Sequence, residues 1–330
     1  MVNVLSRYKR PLFCGILVGL VVIAVLLIMG DFKEVIRVFL KFDIRYLPLV
    51  LILAPLNYIF RYIKWNYYLR LVGLQVEPKM NKLIFMSGLA MTVSPGKIGE
   101  LIKCYLLKEH MGAPVSTTSP IVMAERLTDG LAMVILASFG CLAFAYGGLV
   151  LLAVAVLLVS VLVLFQYEGL FNRFCTLLAR NNILKRFSDF LFRFQQNTRK
   201  LFNLPGLLFA VGIGVISWGF EGLVIYFSVR AFGGEISILS SVFVVSFSSL
   251  AGALALIPGG LGVAEGSIMA LLILTGLGRE MAAATTLVTR ISTLWLGVLM
   301  GILGLYLAQR KLFFTGSRDD TVWGQGVRKK

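Results

Sequence analysis

Seven charged side chains lie in or beside long apolar stretches of this sequence. They are Glu100, Glu125, Arg126, Asp129, Glu221, Glu265 and Arg290. A charge at the centre of a lipid bilayer costs roughly 2.5–3.5 kcal/mol on insertion scales, so each group is expected to face another charge, a cavity or a ligand. The chain has one histidine, and its four cysteines have no paired spacing. Neither a metal site nor a histidine-based catalytic pair is therefore predicted, and the expected chemistry is the binding of a charged group without a cofactor.

Two of the acids end similar motifs that interrupt apolar stretches. The first motif is Pro-Gly-Lys-Ile-Gly-Glu at 95–100, and the second is Pro-Gly-Gly-Leu-Gly-Val-Ala-Glu at 258–265. Because Pro removes a backbone hydrogen bond and Gly relaxes the backbone, each motif is predicted to break a helix. A new half-helix then begins with free N–H groups, which form a site for an anion. The candidate glycines are Gly96, Gly99, Gly259, Gly260 and Gly262.

An arginine follows each motif at a similar distance. Arg126 lies 31 residues after Pro95, and Arg290 lies 32 residues after Pro258. The planar guanidinium group of arginine offers a fork of donors that fits a phosphate. Two half-helix starts and two arginines are therefore predicted to form a pocket for a lipid phosphate.

The two motif acids have a simpler interpretation beside this one. An acid in the first turn of a half-helix is favoured by the helix dipole, by about 0.3–1 kcal/mol at exposed sites, and this suits both Glu100 and Glu265. Alternatively, each carboxylate pairs with Arg126 or Arg290 and sets the position of that arginine. The sequence leaves both interpretations open.

The other acids also have two interpretations each. Glu125, Arg126 and Asp129 have the three- and four-residue spacing that places side chains on one helix face, so they form either a structural ion pair or part of the binding site. Glu221 lies in the middle of an apolar segment with no basic neighbour nearby in sequence. It is either a packing residue that is protonated or hydrogen-bonded, or a group that contacts a cationic headgroup or couples transport to protons.

The composition sets the class of protein that carries these groups. The chain has 330 residues, of which 58% are hydrophobic and 15% charged, and its mean hydropathy is +0.88. Soluble domains contain about 25% charged residues, so the sequence predicts an all-α polytopic membrane protein. The net charge of +16 fits cytoplasmic loops that face anionic lipid. No nucleic-acid partner is predicted.

About six membrane-spanning helices are expected, at 12–30, 46–62, 119–146, 149–165, 206–230 and 281–308. The apolar stretches 82–94 and 241–257 are shorter than the roughly 20 residues needed to span a bilayer, and each ends at a Pro-Gly motif. Both are predicted to form re-entrant helical hairpins, which membranes tolerate where protein or a water-filled cavity covers the broken backbone. Residues 1–311 then form one membrane domain, and residues 312–330 form a cytoplasmic tail.

Basic residues predict the orientation. They cluster at the N-terminus, after the second span (including Arg61 and Lys64), in the segment 169–205 and in the tail. Cytoplasmic segments carry an excess of Lys and Arg, so both termini are predicted to be cytoplasmic, and 169–205 is predicted to lie on the inner membrane surface as amphipathic helix.

The order span, hairpin, span occurs twice, at about 46–146 and 206–308, and the charge bias gives the two copies opposite orientations. Inverted repeats with broken helices near the midplane are a recurring design of transporters. The alternative is that glycine-rich membrane helices match by chance.

The motifs resemble the flippase-like transmembrane family named after lysylphosphatidylglycerol synthases. The residues that carry the resemblance are Pro95 to Glu100, Glu125-Arg126-Leu127, Pro258 to Glu265, and Arg290. The resemblance implies a stand-alone membrane domain that moves lipids between leaflets of the plasma membrane. Only about 20 residues follow the last span, too few for an aminoacyl-transfer domain, so the synthase activity is not expected.

The leading hypothesis is therefore a flippase for a phospholipid or isoprenoid-linked lipid with an anionic or phosphate-bearing headgroup. No Gly-rich loop ending in Gly-Lys-Ser/Thr occurs, so ATP hydrolysis by this chain is not predicted. Two alternatives remain: a membrane-embedded enzyme acting on lipid headgroups, and a non-catalytic partner of an envelope-biosynthesis enzyme. A homo-oligomer is compatible with each.

Overall fold

A computed structural model describes residues 4–141, 148–167, 169, 171, 173, 198 and 200–323. Most of the predicted surface segment 169–205 lies outside these residues. All regular structure within them is helical. The α-helices are α1 (Val4–Met29), α2 (Phe32–Leu40), α3 (Leu47–Leu71), α4 (Pro78–Ala90), α5 (Ile102–Met111), α6 (Val115–Cys141), α7 (Gly148–Gln166), α8 (Leu204–Ala231), α9 (Ile238–Leu254), α10 (Val263–Leu274), α11 (Arg279–Arg290) and α12 (Leu296–Trp323).

The protein is an all-α membrane protein, as predicted. Four stretches are long and apolar enough to cross a membrane: Leu12–Met29, Ile44–Leu71, Leu204–Ala231 and Arg279–Leu312. Helix α6 has a similar length, 27 residues, but contains three charged side chains, and the apolar α7 has 19 residues. The four apolar stretches coincide with four of the six predicted spans, and α6 and α7 lie at the positions of the other two, whose crossing of the membrane stays a prediction.

One predicted boundary is wrong. Helix α3 does not end near residue 62 but continues to Leu71, because its aromatic and charged residues keep one buried face through Trp65 and Tyr68. It ends where Gly73 adopts a left-handed φ of 80°. The backbone also stays helical from Leu296 to Trp323, so the segment predicted to be a tail begins as part of α12.

Both Pro-Gly motifs break a helix. The first break lies between α4 and α5 and contains the 3₁₀ turns Met91–Val93 and Pro95–Leu101. The second break lies between α9 and α10 and contains the 3₁₀ turn Pro258–Gly260. The flanking helices have 13 and 10 residues at the first break and 17 and 12 at the second. Each is shorter than the roughly 20 residues that cross a bilayer.

The helices around the two breaks pack in a reciprocal pattern. Helix α4 packs along α12, and α9 packs along α6, so the first helix of each broken pair contacts the last span of the other predicted repeat. Helices α3 and α8, which precede the breaks, pack on each other, and so do the two breaks. Small residues permit this closeness: a Cβ at Gly301 of α12 would lie 2.0 Å from the backbone nitrogen of Ala90.

Candidate functional site

A cavity of about 290 Å³ lies where α3, α6, α8, α9 and α11 meet the second break. Its charged lining comes from four helices and consists of Arg61, Arg126, Asp129, Glu221 and Arg290. Gly259 and Gly260 of the second break also line it. The cavity therefore collects three guanidinium groups and two carboxyl groups from segments that are far apart in sequence.

The second break positions Arg290. The Nε atom of Arg290 donates to Oε1 of Glu265 at 2.6 Å, and a terminal nitrogen donates to the carbonyl oxygen of Gly259 at 3.2 Å. The second oxygen of Glu265 accepts a hydrogen bond from the N–H of Gly262 at 2.7 Å, which caps α10. Arg290 itself ends α11 where the chain forms a π-helical turn, Ile291–Trp295. Such turns occur frequently at functional sites.

The first break positions Arg126 through a larger set of charges. A terminal nitrogen of Arg126 lies 3.4 Å from Oε2 of Glu100 and 3.1 Å from Oδ2 of Asp129. The other oxygen of Asp129 accepts a hydrogen bond from the Nζ atom of Lys64. Arg126 is thus held between an acid of the first break and an acid one turn along its own helix.

Lys103 extends this arrangement away from the cavity. Its Nζ atom donates to Glu125, lies 3.7 Å from Oε2 of Glu100, and sits 4.4 Å from the centroid of the Trp65 ring. We call the six groups the first-break network: Lys64, Glu100, Lys103, Glu125, Arg126 and Asp129. Because burial of a charge is costly unless it is paired, the alternation of three cations with three acids explains how so many charges are accommodated.

Arg61 is the functional candidate that sequence reasoning missed. Its side chain is only 7% exposed, it lines the cavity, and its Nε atom has no acceptor among the described residues. The prediction that Arg61 and Lys64 follow the second span is wrong, since both lie within α3 and are buried. Their helical spacing with Tyr58, Trp65 and Tyr68 was the signal that could have identified them.

The structure separates the predicted site residues into two groups. Those that line the cavity are Arg126, Asp129, Glu221, Gly259, Gly260 and Arg290. Glu100, Glu125 and Glu265 lie behind them as ion-pair partners. Glu265 is in the first turn of α10, but Glu100 lies in a 3₁₀ turn and not at the start of α5.

The predicted free N–H groups require a correction. The N–H of Gly99 donates to Oγ of Ser94 at 2.8 Å, and that of Gly260 donates to the carbonyl oxygen of Ile257 at 2.9 Å. The N–H of Gly262 is taken by Glu265. These amides are satisfied inside the protein, so they do not form the expected anion site; the cationic groups that face the cavity are guanidinium groups. The surroundings of Gly96 lie outside the described positions.

The cavity lining also includes apolar side chains that are exposed at the protein surface. They are Leu157 of α7, Leu254 at the end of α9 and Ile257 after it, which are 53%, 49% and 38% exposed. In a membrane, such surfaces contact lipid tails. Within the described part of the chain, no group of three or more His, Cys, Asp or Glu side chains could hold a metal ion.

Similarity to known proteins identifies the family of this chain. The sequence model of the family described as the lysylphosphatidylglycerol synthase TM region matches residues 15–301. The chain belongs to this family. The part of this chain that matches the family, residues 15–301, contains both breaks, the first-break network and every charged residue of the cavity. The protein is therefore a multi-pass membrane protein of that family.

The chain is also similar to several UPF0104 membrane proteins. One from Pyrococcus horikoshii is 23% identical, and the alignment covers 92% of this chain and 98% of the relative. One from Methanothermobacter thermautotrophicus is 24% identical over 87% of this chain and 92% of its own length. One from Methanocaldococcus jannaschii is 27% identical over 66% of this chain and 93% of its own length. The chain thus spans nearly the full length of these membrane proteins.

Proposed function

We propose that this protein moves a lipid with a phosphate-bearing headgroup between the leaflets of the plasma membrane, with both termini cytoplasmic and without hydrolysing ATP itself. The observation that carries the proposal is the polarity of the cavity. The lining contains the guanidinium groups of Arg61, Arg126 and Arg290 together with apolar side chains, some of which are exposed at the surface of the protein. A ligand that suits both kinds of lining is an amphiphile with an anionic head.

The three arginines favour a phosphate as the anion. They come from α3, α6 and α11, so three different helices each contribute one guanidinium group to the same cavity. A guanidinium group forms paired, charge-assisted hydrogen bonds with phosphate oxygens. A tetrahedral group with several acceptor oxygens can engage three such forks at once.

The size of the cavity indicates which part of the lipid it encloses. Pockets that bury a whole drug-sized ligand have volumes of about 300–1,000 Å³, and this cavity has about 290 Å³. It therefore suits a headgroup, while the hydrocarbon tails remain in the membrane. The exposed side chains of Leu157, Leu254 and Ile257 mark where the tails would leave the cavity, between α7 and the end of α9.

The reciprocal packing supports an inverted repeat as the means of alternating access. If residues 46–146 and 206–308 are related by a two-fold axis in the membrane plane, the contacts of α4 with α12 and of α9 with α6 are equivalent, and each break lies near the axis. Rocking of one repeat against the other would then open the same cavity to one leaflet at a time.

A lipid-transfer assay with purified protein in liposomes tests this proposal. The probe is a short-chain fluorescent phosphatidylglycerol, and albumin extraction measures the fraction in the outer leaflet. Loss of a hydrogen bond to a charged group costs about 1.5–3 kcal/mol, so Arg61→Ala and Arg290→Ala are each expected to slow transfer by about tenfold or more. Arg290→Lys should recover only part of the rate, because lysine lacks the fork.

The matched control is Arg230→Ala, which removes an exposed arginine at the end of α8, outside the cavity. Transfer at the rate of protein-free liposomes, or equal rates for the wild type and both cavity variants, would contradict the proposal. New lipid masses after incubation with membrane lipids would instead favour an enzyme that acts on headgroups.

A further inference from the structure

We propose that Tyr58 is a positioning residue for Arg290: its hydroxyl group holds the π-helical turn that directs Arg290 toward the cavity. This inference rests on the proposed function, because it gives Tyr58 a part in binding the phosphate headgroup. Tyr58 lies on α3, three residues before Arg61. Its side chain is 5% exposed and lines the same cavity.

The Tyr58 hydroxyl contacts the backbone where α11 joins α12. It donates a hydrogen bond to the carbonyl oxygen of Thr293, and the N–H group of Gly297 faces the same hydroxyl oxygen. A Cβ atom at Gly297 would lie 2.5 Å from that oxygen, so the contact is close. Thr293 and Gly297 are four residues apart, the spacing at which an α-helix joins a carbonyl and an N–H group directly. The hydroxyl group thus bridges two groups that a regular helix would pair with each other.

The turn that this hydroxyl contacts is the π-helical turn after Arg290. In it the N–H group of Leu296 donates to the carbonyl oxygen of Ile291, five residues earlier. The hydroxyl groups of Ser292 and Thr293 donate to carbonyl oxygens four residues before them, at 2.6 and 2.8 Å. These bonds stay within one helix. The bond from Tyr58 comes from another helix, and a side chain inserted into the hydrogen-bond ladder is a known cause of helix irregularity.

The π turn determines the direction of Arg290. A π turn contains one residue more than an α turn, and one residue corresponds to about 100° of rotation about a helix axis. Helix α12 cannot take up this rotation, because Gly301 and Gly304 pack directly on α4. Cβ atoms there would lie 2.0 and 2.6 Å from atoms of Ala90 and Met86. If the turn became α-helical, the end of α11 would therefore rotate and carry Arg290 away from the cavity.

Helix α3 then contributes to the site in two ways. Arg61 supplies a guanidinium group to the lining. Tyr58 keeps the carbonyl group of Thr293 engaged, so that this carbonyl does not pair directly with the N–H group of Gly297 and the π turn persists. Without the hydroxyl, the two backbone groups can pair as in an α-helix, and Arg290 loses its direction.

The variant Tyr58→Phe removes the hydroxyl group and keeps the ring. Calorimetric titration with dibutanoyl phosphatidylglycerol measures headgroup binding by the purified protein in detergent, and the liposome assay measures transfer. Loss of the hydrogen bond is expected to weaken binding about three- to tenfold and to slow transfer by a similar factor. The matched control is Tyr62→Phe, which removes a hydroxyl group from the same helix that accepts from Asn81 outside the cavity. This variant should bind and transfer as the wild type does.

A double-mutant cycle tests whether Tyr58 acts through Arg290. Two residues that act as one unit give effects that do not add. Tyr58→Phe is therefore expected to weaken binding no further in the Arg290→Ala background, whereas it should keep its full effect in the Arg61→Ala background. A general loss of stability would weaken binding equally in both backgrounds.

Gly297→Ala reaches the same state by a different route. The added Cβ atom would displace the Tyr58 hydroxyl, so this variant should weaken binding as much as Tyr58→Phe does. The two substitutions together should bind no more weakly than either alone. Gly266→Ala, where no atom lies within 4 Å of the added Cβ, should bind like the wild type.

The results distinguish this inference from lipid transport itself. Wild-type binding by Tyr58→Phe, or an equal loss in both arginine backgrounds, overturns the positioning role while lipid transport stands. If the wild type binds the probe but does not transfer it above protein-free liposomes, lipid transport fails, and the binding cycle still decides the role of Tyr58. A wild type that does not bind the probe overturns both.

Discussion

The two helix breaks have related sequences but are held in different ways. At the first break, Glu100 belongs to the first-break network, whose six charges connect it to α3, α5 and α6. At the second break, Glu265 forms one ion pair, with Arg290. The backbone differs as well, since Gly259, Gly260 and Gly262 all have left-handed φ angles of 63–86°.

From this difference we expect different mechanical roles for the two broken helix pairs, which we call the first hairpin (α4 and α5) and the second hairpin (α9 and α10). Buried charges that are paired on several sides cannot separate without leaving a charge unpaired, which is strongly destabilising. We therefore expect the first hairpin to move as one body with α3 and α6. The described ion pairing of the second hairpin is limited to Glu265 with Arg290, and this hairpin contains three glycines with left-handed φ angles, so we expect it to supply the movement that opens the cavity.

The largest predicted effect comes from removing one cation at each break. Lys64→Met leaves Asp129 buried with less charge compensation, whereas Arg290→Met leaves Glu265 with its hydrogen bond from Gly262. Breaking a fully buried pair costs about 3–5 kcal/mol, so Lys64→Met should lower the free energy of unfolding by about that amount and Arg290→Met by clearly less. Thermal unfolding of the purified proteins in detergent measures both.

The matched control for this comparison is Lys82→Met, an exposed lysine on α4. Equal destabilisation by Lys64→Met and Arg290→Met would remove the distinction between a fixed and a movable hairpin. A Lys64→Met variant as stable as the control would mean that the pair of Lys64 with Asp129, which joins α3 to α6 within the first-break network, does not stabilise the fold.

The charges that form pairs at the breaks follow from sequence because the relevant signals are local. A Pro-Gly motif disrupts a helix wherever it occurs, and an acid next to it needs a nearby cation in an apolar segment. The pairs of Glu100 with Arg126 and of Glu265 with Arg290 could therefore be anticipated. The two repeats and the membrane side of each break remain predictions.

The rest of the site depends on packing between distant helices. Arg61 and Lys64 follow an apolar stretch, as cytoplasmic loop residues do, and only the contacts of α3 with α6 and α8 reveal that they are buried. The sequence also does not show which backbone N–H groups at the breaks are hydrogen-bonded within the protein. Whether Gly99 and Gly262 present free N–H groups depends on the rotamers of Ser94 and Glu265, which turn back to accept those hydrogen bonds.

A smaller effect is expected from glycine substitutions that test the second break. Gly260 has a φ of 66°, and a Cβ there would lie 3.0 Å from Cα of Gly252. A left-handed alanine costs about 1–2 kcal/mol per residue, so Gly260→Ala should lower the free energy of unfolding by roughly that amount and slow lipid transfer. Gly266→Ala on α10 is the control, because no atom lies within 4 Å of its Cβ. Unchanged transfer in Gly260→Ala would argue against movement at this break.

The smallest predicted effect concerns an exposed ion pair between Glu77, at the start of α4, and Lys311 of α12. Glu77, just before α4, accepts two hydrogen bonds from Lys311 of α12, at 2.7 and 2.8 Å. This hydrogen bonding lowers the pKa of Glu77, so the ionised form is favoured in the folded protein. Its contribution to stability is present above the pKa of the unfolded chain and is lost as the pH falls through the lower pKa of the folded state.

Glu77→Gln should therefore reduce the melting temperature slightly at pH 7, and the difference from the wild type should disappear at a pH well below about 4.3, the ordinary pKa of glutamate. The effect is small because both side chains are exposed and water screens the pair. A loss as large as that of Lys64→Met would mean that α4 is held mainly at this outer end. The first-break network would then no longer support the expectation that the first hairpin stays fixed while the second moves.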